Sequence, residues 1–413
     1  MQNNKKLFEL IQSLSKSEKI YLKKFAFLHD RNKKNNYLEL FNILQKQRIY
    51  DDVKLAEALK KKSISKNLSS VKHYLYKLIL RSLRNYHHGD NASMEVKNLI
   101  ADIHILYQRG LYNQCRSLIS STKKIVLKYD MYSEYYILLK SEINLIIATQ
   151  GDPNEMKEIV KEQKRVLAIL TNGLTYQELS NETYFHLDLS EQAAPFDQKK
   201  VQELFRHPFL TDIKHAQTFY DKSNFYFSNG RRKQLLADDK AVNYLIKNME
   251  LWESKPHFIK DNVSDYLVLL HNIMLLKAHN AKEAGFMTEL INKLKSISSN
   301  SLHIQAKLFQ FAYMTQQDQS TYFGTFEEEK KSIPHIEKEL KKYDAVTPYN
   351  MKLVFYFNTA YVLFGCGDYK AALSWINKAL DIESKTTSKL YIMILKVIKL
   401  FIFLELKNFE LLE

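Results

Sequence analysis

Tyr356-Phe357-Asn358-Thr359-Ala360-Tyr361-Val362-Leu363-Phe364-Gly365-Cys366-Gly367-Asp368-Tyr369-Lys370-Ala371-Ala372-Leu373-Ser374-Trp375-Ile376-Asn377-Lys378-Ala379-Leu380 is the stretch on which the architecture turns. It reads as a helix that begins on aromatic residues, a turn at Gly367-Asp368-Tyr369, and a second helix. Ala360 stands where the first helix would cross the second. Ala372 and Ala379 recur two helical turns apart on the second, with Ile376 between them. Small residues at such points let two antiparallel helices approach closely, while Tyr356 and Tyr369 supply the bulk that fills space between successive pairs.

This pattern strongly resembles a tetratricopeptide repeat, a helix pair that stacks on its neighbours. One position departs from the family: Ser384 stands where a proline follows the second helix. Ile105-Leu106-Tyr107-Gln108-Arg109-Gly110-Leu111-Tyr112-Asn113-Gln114-Cys115 is similar, with Cys115 near the alanine position. Ala148-Thr149-Gln150-Gly151-Asp152-Pro153 repeats the Gly-Asp turn. Further turn signals fall near residues 194, 230, 281 and 317, and a last one at Lys407-Asn408. Their spacing is about 35–50 residues, the range of tetratricopeptide and related helical repeats. The resemblance implies about six to eight divergent hairpins forming a right-handed solenoid over residues 94–413.

The chain before this body differs in charge. Residues 1–89 hold 20 Lys/Arg against 7 Asp/Glu, whereas residues 90–413 hold 41 against 39. Nearly all of the net charge of +15 therefore sits in the first fifth, which has no Gly or Pro before Gly89. Apolar periodicity predicts five helices there, over 5–13, 17–28, 35–48, 51–62 and 67–86. In the last, Leu68, Val71, Leu75, Leu78, Ile79 and Leu83 form a stripe, with Lys72, Lys77, Arg81 and Arg84 off it. Leu55-Ala56-Glu57-Ala58-Leu59, a polar break and Val71…Leu75…Leu78 together resemble a helix-turn-helix. That resemblance implies a second helix in a DNA major groove, touching bases through Lys66, Asn67, Ser69, Ser70 and Lys72. Lys60, Lys61, Lys62, Lys66, Lys72, Lys77, Arg81 and Arg84 are the candidate nucleic-acid contacts. The alternative is a solvated lysine-rich face on a helical domain, or a face for an acidic protein. His87-His88 and Asp90 are too few, and too poorly spaced, for a zinc site.

Composition narrows the rest. The chain has 413 residues, 45% of them apolar, but only 9 Gly and 6 Pro; average usage would give about three times as many of each. Hairpin sheets and phosphate loops need those glycines, so the expected fold class is all-α. Cys115 and Cys366 make no disulfide framework and fit a reducing compartment. No apolar run reaches the ~18 residues of a membrane span, and the first residues lack a secretory pattern. A cytoplasmic protein is expected.

No Walker loop, paired-glycine nucleotide loop, His-Glu-x-x-His or Gly-x-Ser-x-Gly occurs, and the histidines are scattered. No enzyme activity, cofactor or metal is expected. The expected function is a protein–protein interaction scaffold that holds a peptide or partner helix in a helical-repeat groove. The alternative is a nucleic-acid-binding regulator that uses residues 1–89, with the repeats sensing a ligand or dimerising. Leu390 to Leu406 is apolar over much of its surface, and Asn408-Phe409-Glu410-Leu411-Leu412-Glu413 stops where a second helix should begin. A terminal solenoid helix usually has a polar face. Either this end contacts a partner or another copy, or the chain is a fragment of a longer one.

Overall fold

The computed structural model describes residues 2–29, 36–47, 50–61, 68–89, 91–191, 197–278, 280–386 and 389–407. Every regular element among them is helical, with no strand. The basic segment forms α1 (Gln2–Ser13), α2 (Lys16–His29), α3 (Asn36–Lys46), α4 (Asp52–Lys61) and α5 (Leu68–Tyr86). Leu7, Ile11, Leu22, Leu40, Phe41, Leu44, Leu75 and Ile79 meet in one core beneath them. His87, just past α5, bonds Glu18 of α2 through Nε2 at 2.7 Å.

Three helices of 17 residues follow, α6 (Ala92–Gln108), α7 (Tyr112–Lys128) and α8 (Tyr132–Ala148). Each ends in a residue of left-handed conformation: Gly110 (φ 70°), Asp130 (φ 52°) and Gln150 (φ 51°). The next amide folds back onto the carbonyl five residues earlier, Leu111 N–H to Leu106 at 3.0 Å, Met131 N–H to Val126 at 2.8 Å and Gly151 N–H to Ile146 at 2.8 Å. This is the Schellman closure, which satisfies carbonyls that a helix end would orphan. It stops the helix within two residues and lets the next begin at once.

The long α9 (Pro153–Glu191) runs 39 residues without interruption. After it come α10 (Gln198–Leu204), α11 (Pro208–Thr211), α12 (Phe219–Gly230), α13 (Arg232–Leu236), α14 (Val242–Glu253), α15 (Pro256–Asp261) and α16 (Val263–Lys277). The last group is α17 (Ala284–Ser296), α18 (Leu302–Phe323), α19 (Phe326–Lys330), α20 (Ile333–Lys342), α21 (Tyr349–Gly365), α22 (Tyr369–Leu380) and α23 (Lys389–Glu405). The long helices pack in relay: α6 on α7, α7 on α8, α8 on α9, α9 on α12, then α14, α16, α18 and α21, with α21 against α22 and α23. Gly230 marks one close approach, since a Cβ there would stand 2.2 Å from Leu245 Cδ2 of α14.

The structure departs from the turn expected near 317. α18 passes through that point, and the turn comes at Gly324, in left-handed conformation at φ 72°. The polar run Gln316–Gln319 is not a loop signal here. Gln317 is fully buried and donates to Thr359 Oγ1 at 3.0 Å, while Gln310 donates to Thr347 Oγ1 at 3.1 Å. Bonds to α21 and to the turn before it replace solvent for the amide N–H groups of these side chains, while Gln317 Oε1 is buried without a partner. The signal near 194 lies outside the described residues.

Ala360, Ala372, Ile376 and Ala379 are all fully buried in the core shared by α21, α22 and α23. Half-buried Tyr356 meets Trp375 at 5.7 Å, and Tyr369 meets Phe364 at 5.8 Å. Gly367 takes φ 71°, and Asp368 caps α22 by accepting from Ala371 N–H. His271 of α16 is buried and stacked on Phe311 at 4.3 Å, its Nδ1 lacking a partner. Burial holds its imidazole down to about 4.

Two outcomes follow. Ala372→Leu should overpack the α21–α22 crossing and cost about 1–3 kcal/mol, read as a lower urea midpoint. His271 is neutral when folded and titrates near 6.5 when unfolded. Between those two values the unfolded chain binds a proton that the folded chain does not, so stability falls as pH drops through this window. The loss from about pH 7.5 to about pH 5 should be roughly 2 kcal/mol, and His271→Phe should flatten that part of the urea-midpoint profile.

Candidate functional site

A groove of about 850 Å³ opens between α8, α9 and α12. One wall is a stripe of α9: Ile169, Gly173, Gln177 and Ser180 recur at intervals of four, four and three, so they share a face. Opposite stand Tyr220, Asp221 and Asn224 of α12, with Tyr132 and Ser133 of α8 at one end and Asp265 of α16 nearby.

The start of α12 shapes this site. Thr218 and Asp221 form a capping box: Asp221 N–H donates to Thr218 Oγ1 at 3.1 Å, and Asp221 Oδ2 accepts from Thr218 N–H at 3.0 Å. The same Oδ2 accepts from Gln217 N–H at 3.0 Å. Asp130, at the α7–α8 turn, reaches across to accept from Phe219 N–H at 2.7 Å. Two carboxylates and the Thr218 hydroxyl thus take up donors at one helix start, and the carboxylates suit its dipole. Asp221 Oδ1 faces α9 at its glycine, where a Cβ on Gly173 would come within 3.3 Å of it.

The groove is acidic in a basic chain. Asp130, Asp221 and Asp265 line it, and no Lys or Arg does so among the described residues. The hydrogen bonds that hold Asp130 and Asp221 come from neutral backbone N–H groups rather than from cations. The Asp265 side chain reaches solvent, yet the groove walls desolvate it and raise its pKa against the pull of Lys307. Burial pushes the Tyr220 hydroxyl up to about 12, and that hydroxyl accepts from Asn262 Nδ2 at 2.9 Å. Tyr132 is raised by burial and then by Asp130.

The basic residues of the N-terminal segment divide differently. Lys77, Arg81 and Arg84 are exposed at i, i+4 and i+7 on α5, one face of a helix that contains no Asp or Glu. Tyr76 is exposed beside them, and Tyr74 packs on Tyr37 at 5.0 Å. Lys72 sits off this face, half-buried, with its pKa lowered by desolvation. Lys60 is exposed on α4. Lys62, Lys66 and the Lys61 side chain lie outside the described residues, as does Asn67.

No protein-family model, curated protein or solved structure matches the chain. No helix among the described residues is long and apolar enough to cross a membrane.

Sequence reasoning alone singles out none of the groove residues. One signal points to part of the site: Thr218 and Asp221 stand three residues apart, the spacing of a capping box, which places a helix start there. Nothing in the sequence tells that α9 and α16 bring Gly173 and Asp265 to that same start.

Proposed function

We propose that the protein is a non-enzymatic, cytoplasmic interaction scaffold. In this reading residues 1–89 form a basic helical domain, and the body from residue 94 is a tetratricopeptide-like solenoid whose groove holds a peptide or partner helix. The groove between α8, α9 and α12 carries the proposal. Gln177, Asn181 and Asn224 offer both a donor and an acceptor, as a peptide backbone requires. Tyr132, Tyr220 and Leu174 offer apolar surface beside them. The three aspartates favour a peptide with basic side chains over an acidic one.

A second reading rests on one observation, the acid-free face of Lys77, Arg81 and Arg84 on α5. Such a face suits the phosphates of a nucleic acid. Its basic residues lie in the C-terminal half of α5, so the contact would be with backbone phosphates rather than the base edges a helix-turn-helix reads.

Selection of a displayed peptide library on the immobilised full chain tests the first reading. Enriched peptides should bind the Gln177→Ala/Asn181→Ala/Asn224→Ala variant about tenfold more weakly or worse, which corresponds to about 1–2 kcal/mol of hydrogen bonding. Equal binding to both proteins would remove the groove from the function. For the second reading, duplex DNA is titrated against the full chain over a range of salt. Lys77→Ala/Arg81→Ala/Arg84→Ala should flatten the log–log salt slope by about 0.9 for each phosphate no longer neutralised. No salt-dependent binding by the unmodified chain at low ionic strength would end that reading.

A further inference from the structure

The last described helix carries an apolar face that is left exposed among the described residues. Ile392, Leu395, Ile398 and Ile402 of α23 are buried against α21 and α22. On the opposite side Leu390, Met393, Val397, Leu400 and Leu404 are 38%, 58%, 45%, 47% and 47% exposed. Their spacing is three, four, three, four, the rhythm of the a and d positions of a coiled coil. Phe401, 53% exposed, widens the seam on one flank. Six large apolar side chains in one continuous exposed row are not scattered surface hydrophobes; contiguous patches of this kind mark interaction sites.

The two flanks of the seam differ, and that difference selects the occupant. On one side, one position before Leu390 and before Val397, stand Lys389 and Lys396, both exposed. Glu383 accepts from Lys396 at 2.9 Å, and both remain about half exposed. On the other side stand Ile394 and Phe401, and the charge on that side is the exposed Glu405, one turn beyond Phe401 at the helix end. A second copy of α23 fits poorly. Packed antiparallel, like flanks face each other, and lysine would meet lysine. Packed parallel, each lysine would lie against Ile394 or Phe401 of the other copy, leaving its charge without a partner in the seam. A helix from another protein, with an apolar seam and Asp or Glu on the flank facing Lys389 and Lys396, satisfies both features.

We propose that α23 is a docking helix for an acidic-flanked amphipathic helix of a partner protein, held by the Leu390–Leu404 seam and oriented by Lys389 and Lys396. This surface is separate from the groove between α8, α9 and α12, and its use does not depend on that groove.

The test uses the full chain and two labelled three-heptad helical peptides with leucine at the seam positions. One carries glutamate on both flanks, the other lysine. Fluorescence anisotropy should show the glutamate peptide binding about tenfold more tightly than the lysine peptide at low salt, the combined worth of two favourable pairs gained and the like-charge repulsion avoided. Val397→Asp and Leu400→Asp should abolish binding. Both residues face away from the buried side, so the circular dichroism spectrum and melting temperature should not change. Lys389→Glu/Lys396→Glu should invert the preference between the two peptides. Equal binding of both peptides, or binding that survives Val397→Asp in a folded chain, would overturn the proposal. So would Val397-dependent binding to vesicles of equimolar phosphatidylcholine and phosphatidylserine with none to the peptides, or Val397-dependent self-association that excludes the glutamate peptide.

Discussion

A residue in left-handed conformation at a helix end is the constraint on which the α6–α8 stack depends. When the residue after a helix turns to positive φ, the following amide reaches back to the carbonyl five residues earlier, and the chain reverses in the space of a few residues. At Gly110, Asp130 and Gln150 this happens at intervals of 20 residues, and α6, α7 and α8 come out equal in length. Equal antiparallel helices present their apolar stripes at the same height, so Cys115, Ile119, Val126, Leu138 and Leu145 share one core. Only one of the three turn residues is glycine. The other two accept a strained conformation, costing of order 1 kcal/mol each, which the bonded turn and the packing around it offset.

The turn at Asp130 also builds the groove. Its carboxylate crosses to the Phe219 N–H, 89 residues away in sequence, and fixes where α12 begins. Asp261 does the same for α6, accepting from Ala92 N–H at 3.0 and 3.2 Å across 169 residues. Helix starts carry unpaired donors, and a carboxylate borrowed from a distant turn satisfies them while tying two parts of the relay together. Asp130 and Asp221 of the groove therefore serve the fold first, by holding the start of α12.

Much of this is legible from residues alone. The apolar periodicity of residues 5–86 marks five helices to within about two or three residues at either end, close to the usual uncertainty of a boundary. The Gly367 turn and the alanines around it mark α21 and α22, because a glycine at a left-handed position and small residues at a crossing have few other uses. What is not legible depends on tertiary partners. Asp130 is not a turn residue by type in the way glycine is, so the middle stop hides and the sequence shows only the turns at Gly110 and at Gln150-Gly151. Gln317 reads as loop by type because the sequence cannot show that Thr359 stands ready to receive its amide. The groove is invisible for the same reason: Gly173, Asp221 and Asp265 are ordinary residues until three helices bring them together.

The left-handed stops set the α6–α8 stack and the α21–α22 turn, whereas α12, α14 and α16 end in right-handed residues. Site-resolved amide hydrogen exchange on the full chain measures this most directly, since it reads the stop bonds one by one. The Leu111, Met131 and Gly151 amides, and that of Asp368, which bonds the Leu363 carbonyl at 2.9 Å after Gly367, should be protected nearly as well as amides in the middle of their helices. Exchange of those four at free-chain rates, with the helix interiors still protected, would contradict it.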